Sequence, residues 1–106
     1  MEKLQIIAFG RGRLIVAIGA EFETRPTSGA WLIVKRGATI RSWGTGNGVG
    51  ELVVGGPTAT TTLDALPLEL AIPLGSIHEI FELSEDSTKG FKASIAKAEI
   101  KLLGGK

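Results

Sequence analysis

Glycine and proline interrupt this chain so often that few stretches between them are long: fifteen glycines and four prolines fall within 106 residues. Glycine loses more backbone entropy on folding than any other residue, and proline lacks the amide proton that a helix interior needs. Apolar content comes mostly from Ile, Leu, Val and Ala, with no Tyr. That combination favours short strands and tight turns over long helices. Lys3 to Phe9 is an apolar run, and Gly10-Arg11-Gly12 has the length of a hairpin turn. Arg13 to Phe22 alternates, placing Leu14, Val16, Ile18, Ala20 and Phe22 on one strand face.

Further strands are expected at Ala30–Lys35, Ala38–Trp43, Thr58–Leu63, Leu68–Ile72 (stopped by Pro73) and Ser76–Leu83. Ser84 to Gly90 reads as a polar loop. From Phe91 to Leu103, Ala98, Ile100 and Leu102 alternate with Lys97, Glu99 and Lys101, which is strand patterning, with a helical register for 91–98 as the alternative. Gly50 to Val54 fits one helical turn or a short strand. Seven or eight short strands at intervals of about 8–14 residues describe a mainly β single domain over residues 1–106. It is expected to be a small barrel or sandwich with at most one short helix near residues 47–54. Ile15, Ala17, Ile33 and Leu103 make strand faces apolar on both sides, which points to a homo-oligomer, most simply a dimer.

The absence of cysteine removes disulfide frameworks, thiolate zinc sites and cysteine nucleophiles together. The first ten residues lack the long apolar core and cleavage site of a signal peptide, and no stretch has the length of a membrane span, so a soluble cytoplasmic protein is expected. A formal net charge of +1 argues against a nucleic-acid polymer as partner. Charge is nevertheless uneven. Residues 1–56 hold seven basic side chains against four acids, residues 57–86 hold six acids and no Lys or Arg, and five lysines follow from residue 87 on. All five arginines lie within the first 41 residues.

Chemistry concentrates between residues 37 and 56, where Gly44, Gly46, Gly48 and Gly50 alternate directly after Arg41 and Trp43. Backbone amides in such a loop can form a nest for an anion, with Trp43 as a stacking plane and Arg41 as the charge. Arg41, Trp43, Thr45, Gly46, Asn47 and Gly48 are therefore the candidate ligand-binding residues; otherwise these glycines only allow close packing around a core tryptophan. Arg11, Arg13 and Arg36 are the next candidates for anion contact. The pattern is neither a dinucleotide fingerprint nor a phosphate loop, because no long helix follows and no lysine sits in place.

Elsewhere the residues read as structural. His78 is the lone histidine and has no patterned acidic partner, so a sheet-face role is expected rather than metal binding or catalysis. Glu79, Glu82, Glu85 and Asp86 suit a solvated edge that discourages edge-to-edge pairing. Trp31, within Ala-Trp-Leu-Ile-Val, suits the core. No nucleophile elbow, nucleophile–base pair or metal set is present, and neither catalysis nor a cofactor is expected.

The stretch Ile40-Arg41-Ser42-Trp43-Gly44-Thr45-Gly46-Asn47-Gly48-Val49-Gly50-Glu51-Leu52 carries a resemblance, together with Gly56-Pro57-Thr58, Thr62-Leu63-Asp64, Ile77-His78-Glu79-Ile80-Phe81-Glu82-Leu83 and Lys92-Ala93-Ser94-Ile95-Ala96. It resembles a family of small, functionally uncharacterised bacteriophage and prophage proteins of about 100 residues. The resemblance runs from Ala30 to Ala96 and leaves the first 25 residues unmatched. It implies a phage accessory protein in the host cytoplasm and carries no catalytic residues. The expected function is non-enzymatic capture of a small anionic ligand, such as a nucleotide defence signal. The alternative is a structural or protein-interaction module, for phage assembly or inhibition of a host protein, that recruits its partner through an edge strand.

Overall fold

In the computed structural model, which describes residues 3–27, 29–42 and 49–104, two antiparallel sheets and two α-helices stack in three layers. The strands are β1 (Leu4–Phe9), β2 (Arg13–Ile18), β3 (Glu21–Arg25), β4 (Gly29–Val34), β5 (Arg36–Ser42), β6 (Thr62–Ala65), β7 (Leu70–Pro73) and β8 (Ile77–Glu82). The helices are α1 (Val49–Gly55) and α2 (Glu85–Leu102). A five-stranded sheet runs β6-β5-β2-β1-β8, and a three-stranded sheet runs β3-β4-β7. The protein is mainly β and sandwich-like, as the strand spacing predicts, and the sheets do not close into a barrel.

The central sheet is covered on both faces. On one, Leu4, Ile6, Leu14, Val16, Ile18, Ala38 and Ile40 pack against Leu52 of α1 and Phe91 and Ile95 of α2. On the other, Ile7, Phe9, Ile15 and Ala17 pack against Leu32, Val34 and Ile72 of the smaller sheet. This explains why β2 reads as a nearly unbroken apolar run: a strand buried on both sides has no polar face to alternate with. Ile15, Ala17 and Ile33 are buried within one chain and so give no ground for an oligomer, whereas Leu103 is 86% exposed.

Arg13 to Phe22 is not one strand. The chain turns at Gly19, whose φ of +68° is open to glycine and strained for other residues, and continues as β3 in the second sheet. Phe22 therefore leaves the line of Leu14, Val16 and Ile18 and stands 61% exposed on an edge strand. Trp31, expected in the core, is only half-buried, with the Arg25 guanidinium 5.2 Å from its ring centre.

The largest correction is at the C-terminus. Residues 85–102 form an 18-residue helix instead of a polar loop followed by a strand, and the expectation of at most one short helix holds only for α1. Ser87, Phe91, Ile95 and Ala98 are its buried residues, a spacing of four, four and three that fits a helix and not a strand. The alternation of Ala98, Ile100 and Leu102 does not mark a buried face, since Ile100 and Leu102 are 62% and 48% exposed.

Ser84 caps the helix by accepting a hydrogen bond from the Ser87 amide at 3.1 Å, and Glu85 and Asp86 lie at its positive end. The same serines serve α1. The Ser84 hydroxyl donates to the Val54 carbonyl, the Ser84 amide to Val53 at 3.0 Å, and the buried Ser87 hydroxyl to Leu52 at 2.6 Å. The Val53 and Val54 carbonyls at the end of this short helix are thereby satisfied by the start of the next one, while the Leu52 carbonyl, which also accepts from the Gly56 amide at 3.0 Å, gains a second donor. Gly90 lets Pro57 come close to α2: a Cβ there would sit 2.9 Å from the Pro57 ring.

Candidate anion-binding groove

Arg41 is the one member of the expected ligand loop that falls within the described residues; Trp43, Thr45, Gly46, Asn47 and Gly48 lie outside them. Its position on β5 is irregular. Ala38, Thr39 and Ile40 pair with Ala65, Asp64 and Leu63 of β6, but the next pair is Ser42 with Thr62. Arg41 is thus the extra residue of a bulge, a device that bends a strand and re-aims a side chain. Its Nε lies 3.0 Å from Oδ2 of Asp64, with the two side chains 65% and 54% exposed.

Beyond this pair an open groove of about 410 Å³ runs between β6 and α2, within the range of small-molecule sites. Arg41, Thr61, Thr62, Asp64, Ser94, Lys97 and Lys101 supply its polar lining. Among the described residues the charged lining of the groove is thus three cations and one acid. Lys97 and Lys101 are one helical turn apart on α2 and point to the same side. Ser94 precedes Lys97 by three residues on that flank, and the buried line of Ser87, Phe91, Ile95 and Ala98 holds the helix in this rotation.

Thr58 to Thr61, expected to be extended, form a turn closed by the Thr61 amide on the Thr58 carbonyl at 3.2 Å. The Thr58 amide donates to the Thr61 hydroxyl at 2.9 Å, which fixes that hydroxyl near the groove.

Two other grooves balance their charge differently. One of about 640 Å³ at the junction of β1, β8 and α2 sets Lys3, Lys89 and Lys92 against Glu82 and Glu85. One of about 260 Å³ beside β3 sets Glu21 and Glu23 against Lys35. Among the described residues, the clearest excess of positive charge, with hydroxyl donors around it, is in the groove at Arg41.

The remaining arginines are committed elsewhere or stand apart. Arg36 makes a two-pronged contact with Glu99 at 2.9 and 2.8 Å, which ties the start of β5 to α2. Those hydrogen bonds hold the Glu99 carboxyl below the usual carboxylate range, against a smaller upward push from burial and with help from the Arg36 charge. Arg13 lies over the Phe9 ring at 4.8 Å. Arg11 is exposed in the β1–β2 turn.

His78 occupies a bulge on β8, where Phe9 pairs with Ile77 directly after Ala8 pairs with Glu79. Its Nε2 contacts the Gly10 carbonyl at 2.6 Å. β8 and β6 are opposite edges of the five-stranded sheet, so His78 cannot act as an acid or base at the groove. Among the described residues no three His, Asp or Glu side chains gather as a metal site, and no helix is long and apolar enough to cross a membrane.

No family model, curated protein or solved structure matches the chain. Exposed cations flanked by hydroxyls suit electrostatic capture of an anion through hydrogen bonds to its oxygens. Of these residues, sequence reading finds Arg41 alone. Lys97, Lys101 and Ser94 come to one flank only if residues 91–101 are read as helix, and Thr61 only if its segment is read as a turn.

Proposed function

We propose that this protein binds a small phosphate-bearing anion, such as a nucleotide, without chemically changing it. The observation that carries the reading is the convergence of Arg41, Lys97 and Lys101 on one open groove with Thr61, Thr62 and Ser94 beside them. A phage-type accessory role, in which the ligand is a host defence signal withdrawn from solution, belongs to this proposal and rests on the sequence resemblance. Trp43 and the glycines after it remain expected contributors, Trp43 as a stacking plane for a base.

Titration calorimetry of the protein with ATP as probe, at low and at physiological salt, tests the reading. Binding should be present at low salt and weaken as salt rises, because exposed cations attract the ligand and counter-ions screen them. Absence of binding to ATP and to a panel of other nucleotides at low salt overturns it.

A protein-interaction role is favoured by a different observation. Ala93, Ala96 and Ile100 on α2 and Leu103 at its C-cap are exposed at a spacing of three, four and three, away from the buried line of the helix. This is the surface on which the expected homo-oligomer now rests. Light scattering should show the assembly, and Ile100→Ser with Leu103→Ser should reduce it to a monomer; a wild-type monomer at tens of micromolar removes this reading.

A further inference from the structure

Arg41 is held by Asp64 at the place where the proposed ligand would use it. The carboxylate lies 3.0 Å from the guanidinium Nε, and among the described residues it is the one acid in a groove lining that also holds three basic side chains. Asp64 pairs across the sheet with Thr39, within the regular part of the ladder just before the bulge, so backbone pairing fixes it while the bulge displaces Arg41. A carboxylate presents two acceptor oxygens to a guanidinium much as a phosphate does.

We propose that Asp64 is an internal stand-in for the ligand's anion: it keeps Arg41 extended over the groove when no ligand is bound and must be displaced from the guanidinium for capture. This rests on the anion-binding reading above and adds to it a residue that sets affinity. An isolated exposed arginine loses side-chain freedom when it first closes on a ligand. Pairing with Asp64 removes part of that loss beforehand and substitutes a competitor. Because both side chains are more than half exposed, the competition is weak, and an incoming phosphate with more charge than one carboxylate wins it.

The experiment is a double-mutant cycle of Arg41→Ala and Asp64→Asn, read by calorimetry with ATP at low salt. Asp64→Asn keeps the size of the side chain and removes its charge. If Asp64 acts through Arg41, Asp64→Asn should tighten ATP binding about twofold to fivefold, as expected for release of an exposed ion pair. In the Arg41→Ala background the same change should have less effect, because the group that Asp64 occupies is gone. Plain repulsion between Asp64 and the ligand predicts the opposite, a larger benefit without Arg41, since the carboxylate would then be unneutralised. An equal or larger benefit in that background overturns the proposal, as does unchanged or weaker binding for Asp64→Asn alone. Loss of binding on Lys97→Ala with Lys101→Ala, beside an indifferent Asp64→Asn, would retain the groove and remove only the role of Asp64. If neither the wild type nor Asp64→Asn binds ATP or any nucleotide, the groove and the stand-in fall together. Melting temperatures of each variant show whether the fold is retained.

Discussion

One flank of α2 turns Ser87, Phe91, Ile95 and Ala98 into core, while a neighbouring flank leaves Ser94, Lys97 and Lys101 at the rim of the groove. The same 18 residues thus serve two purposes with almost no side chain shared between them. Phe91 and Ile95 are fully buried beside the central sheet, and Lys97 and Lys101 are exposed. Burial holds the helix in one rotation about its axis, and that rotation brings the lysines to the groove that Arg41 also lines. Stability and binding should consequently be separable by mutation: changes on the core flank unfold the protein, and changes on the other flank leave it folded and weaken capture.

The largest expected effect is on the core flank. Phe91→Ala removes a fully buried aromatic side chain between α2 and the sheet, and should cost about 3–5 kcal/mol through lost burial and the cavity left behind. For a protein of this size that is a large share of the total stability. Denaturant unfolding followed by circular dichroism measures it. A cost below about 1 kcal/mol, the level of a surface change, would mean that α2 is not fixed by this contact.

Next comes the groove flank. Lys97→Ala with Lys101→Ala should leave the unfolding midpoint nearly unchanged, because both side chains are exposed and alanine is the best helix former. ATP affinity at low salt should fall roughly fivefold to tenfold, from two exposed charge contacts. The dependence of affinity on salt should flatten as well. If the double variant loses stability instead of affinity, the two flanks are not independent.

The contrast between the flanks also explains what the sequence conceals. Strand runs at Lys3–Phe9, Ala30–Lys35 and Ser76–Leu83 were readable because each is short, apolar and bounded by turn residues, and they appear as β1, β4 and β8 within one or two residues. α2 was not readable from alternation. Its buried stripe includes the small residues Ser87 and Ala98, which give a weak apolar signal, while Ala98, Ile100 and Leu102 mimic a strand. Gly90 disfavours helix locally and is retained where Pro57 packs against it. The signals that do mark the helix, Ser84 before Glu85 and Asp86, read equally well as a polar loop.

Arg41 was found because an arginine beside a glycine-rich loop is conspicuous. The other cations of the groove are not conspicuous, since Lys97 and Lys101 come to line it with Arg41 only through the fold. Two-sided burial of β2 was half visible in its apolar second face, but sequence alone assigned the cover to another copy of the chain. The structure supplies that cover from β4 and β7.

The smallest effect expected concerns the contact that ties α2 to β5 on the side away from the groove. Arg36 holds the Glu99 carboxyl below its usual range, so the folded protein keeps Glu99 charged at a pH where the unfolded chain would take up a proton. The stability this contributes is present above the ordinary glutamate value near 4.3 and is lost as pH falls through the lower folded value. The side chains are 48% and 31% exposed, which limits the contribution to about 1 kcal/mol or less. Glu99→Gln should therefore lower stability slightly at pH 7 and converge with the wild type toward pH 3. Arg36→Lys should keep only part of this contribution, because an ammonium lacks the planar fork that presents two parallel N–H groups to the two carboxylate oxygens. Urea unfolding at a series of pH values, with wild type and both variants in parallel, reads the effect. ATP affinity should be unchanged in Glu99→Gln if this contact serves only to hold the helix. A change in affinity larger than twofold would show that a shift of α2 on this side reaches Lys97 and Lys101, and that the two flanks are mechanically joined.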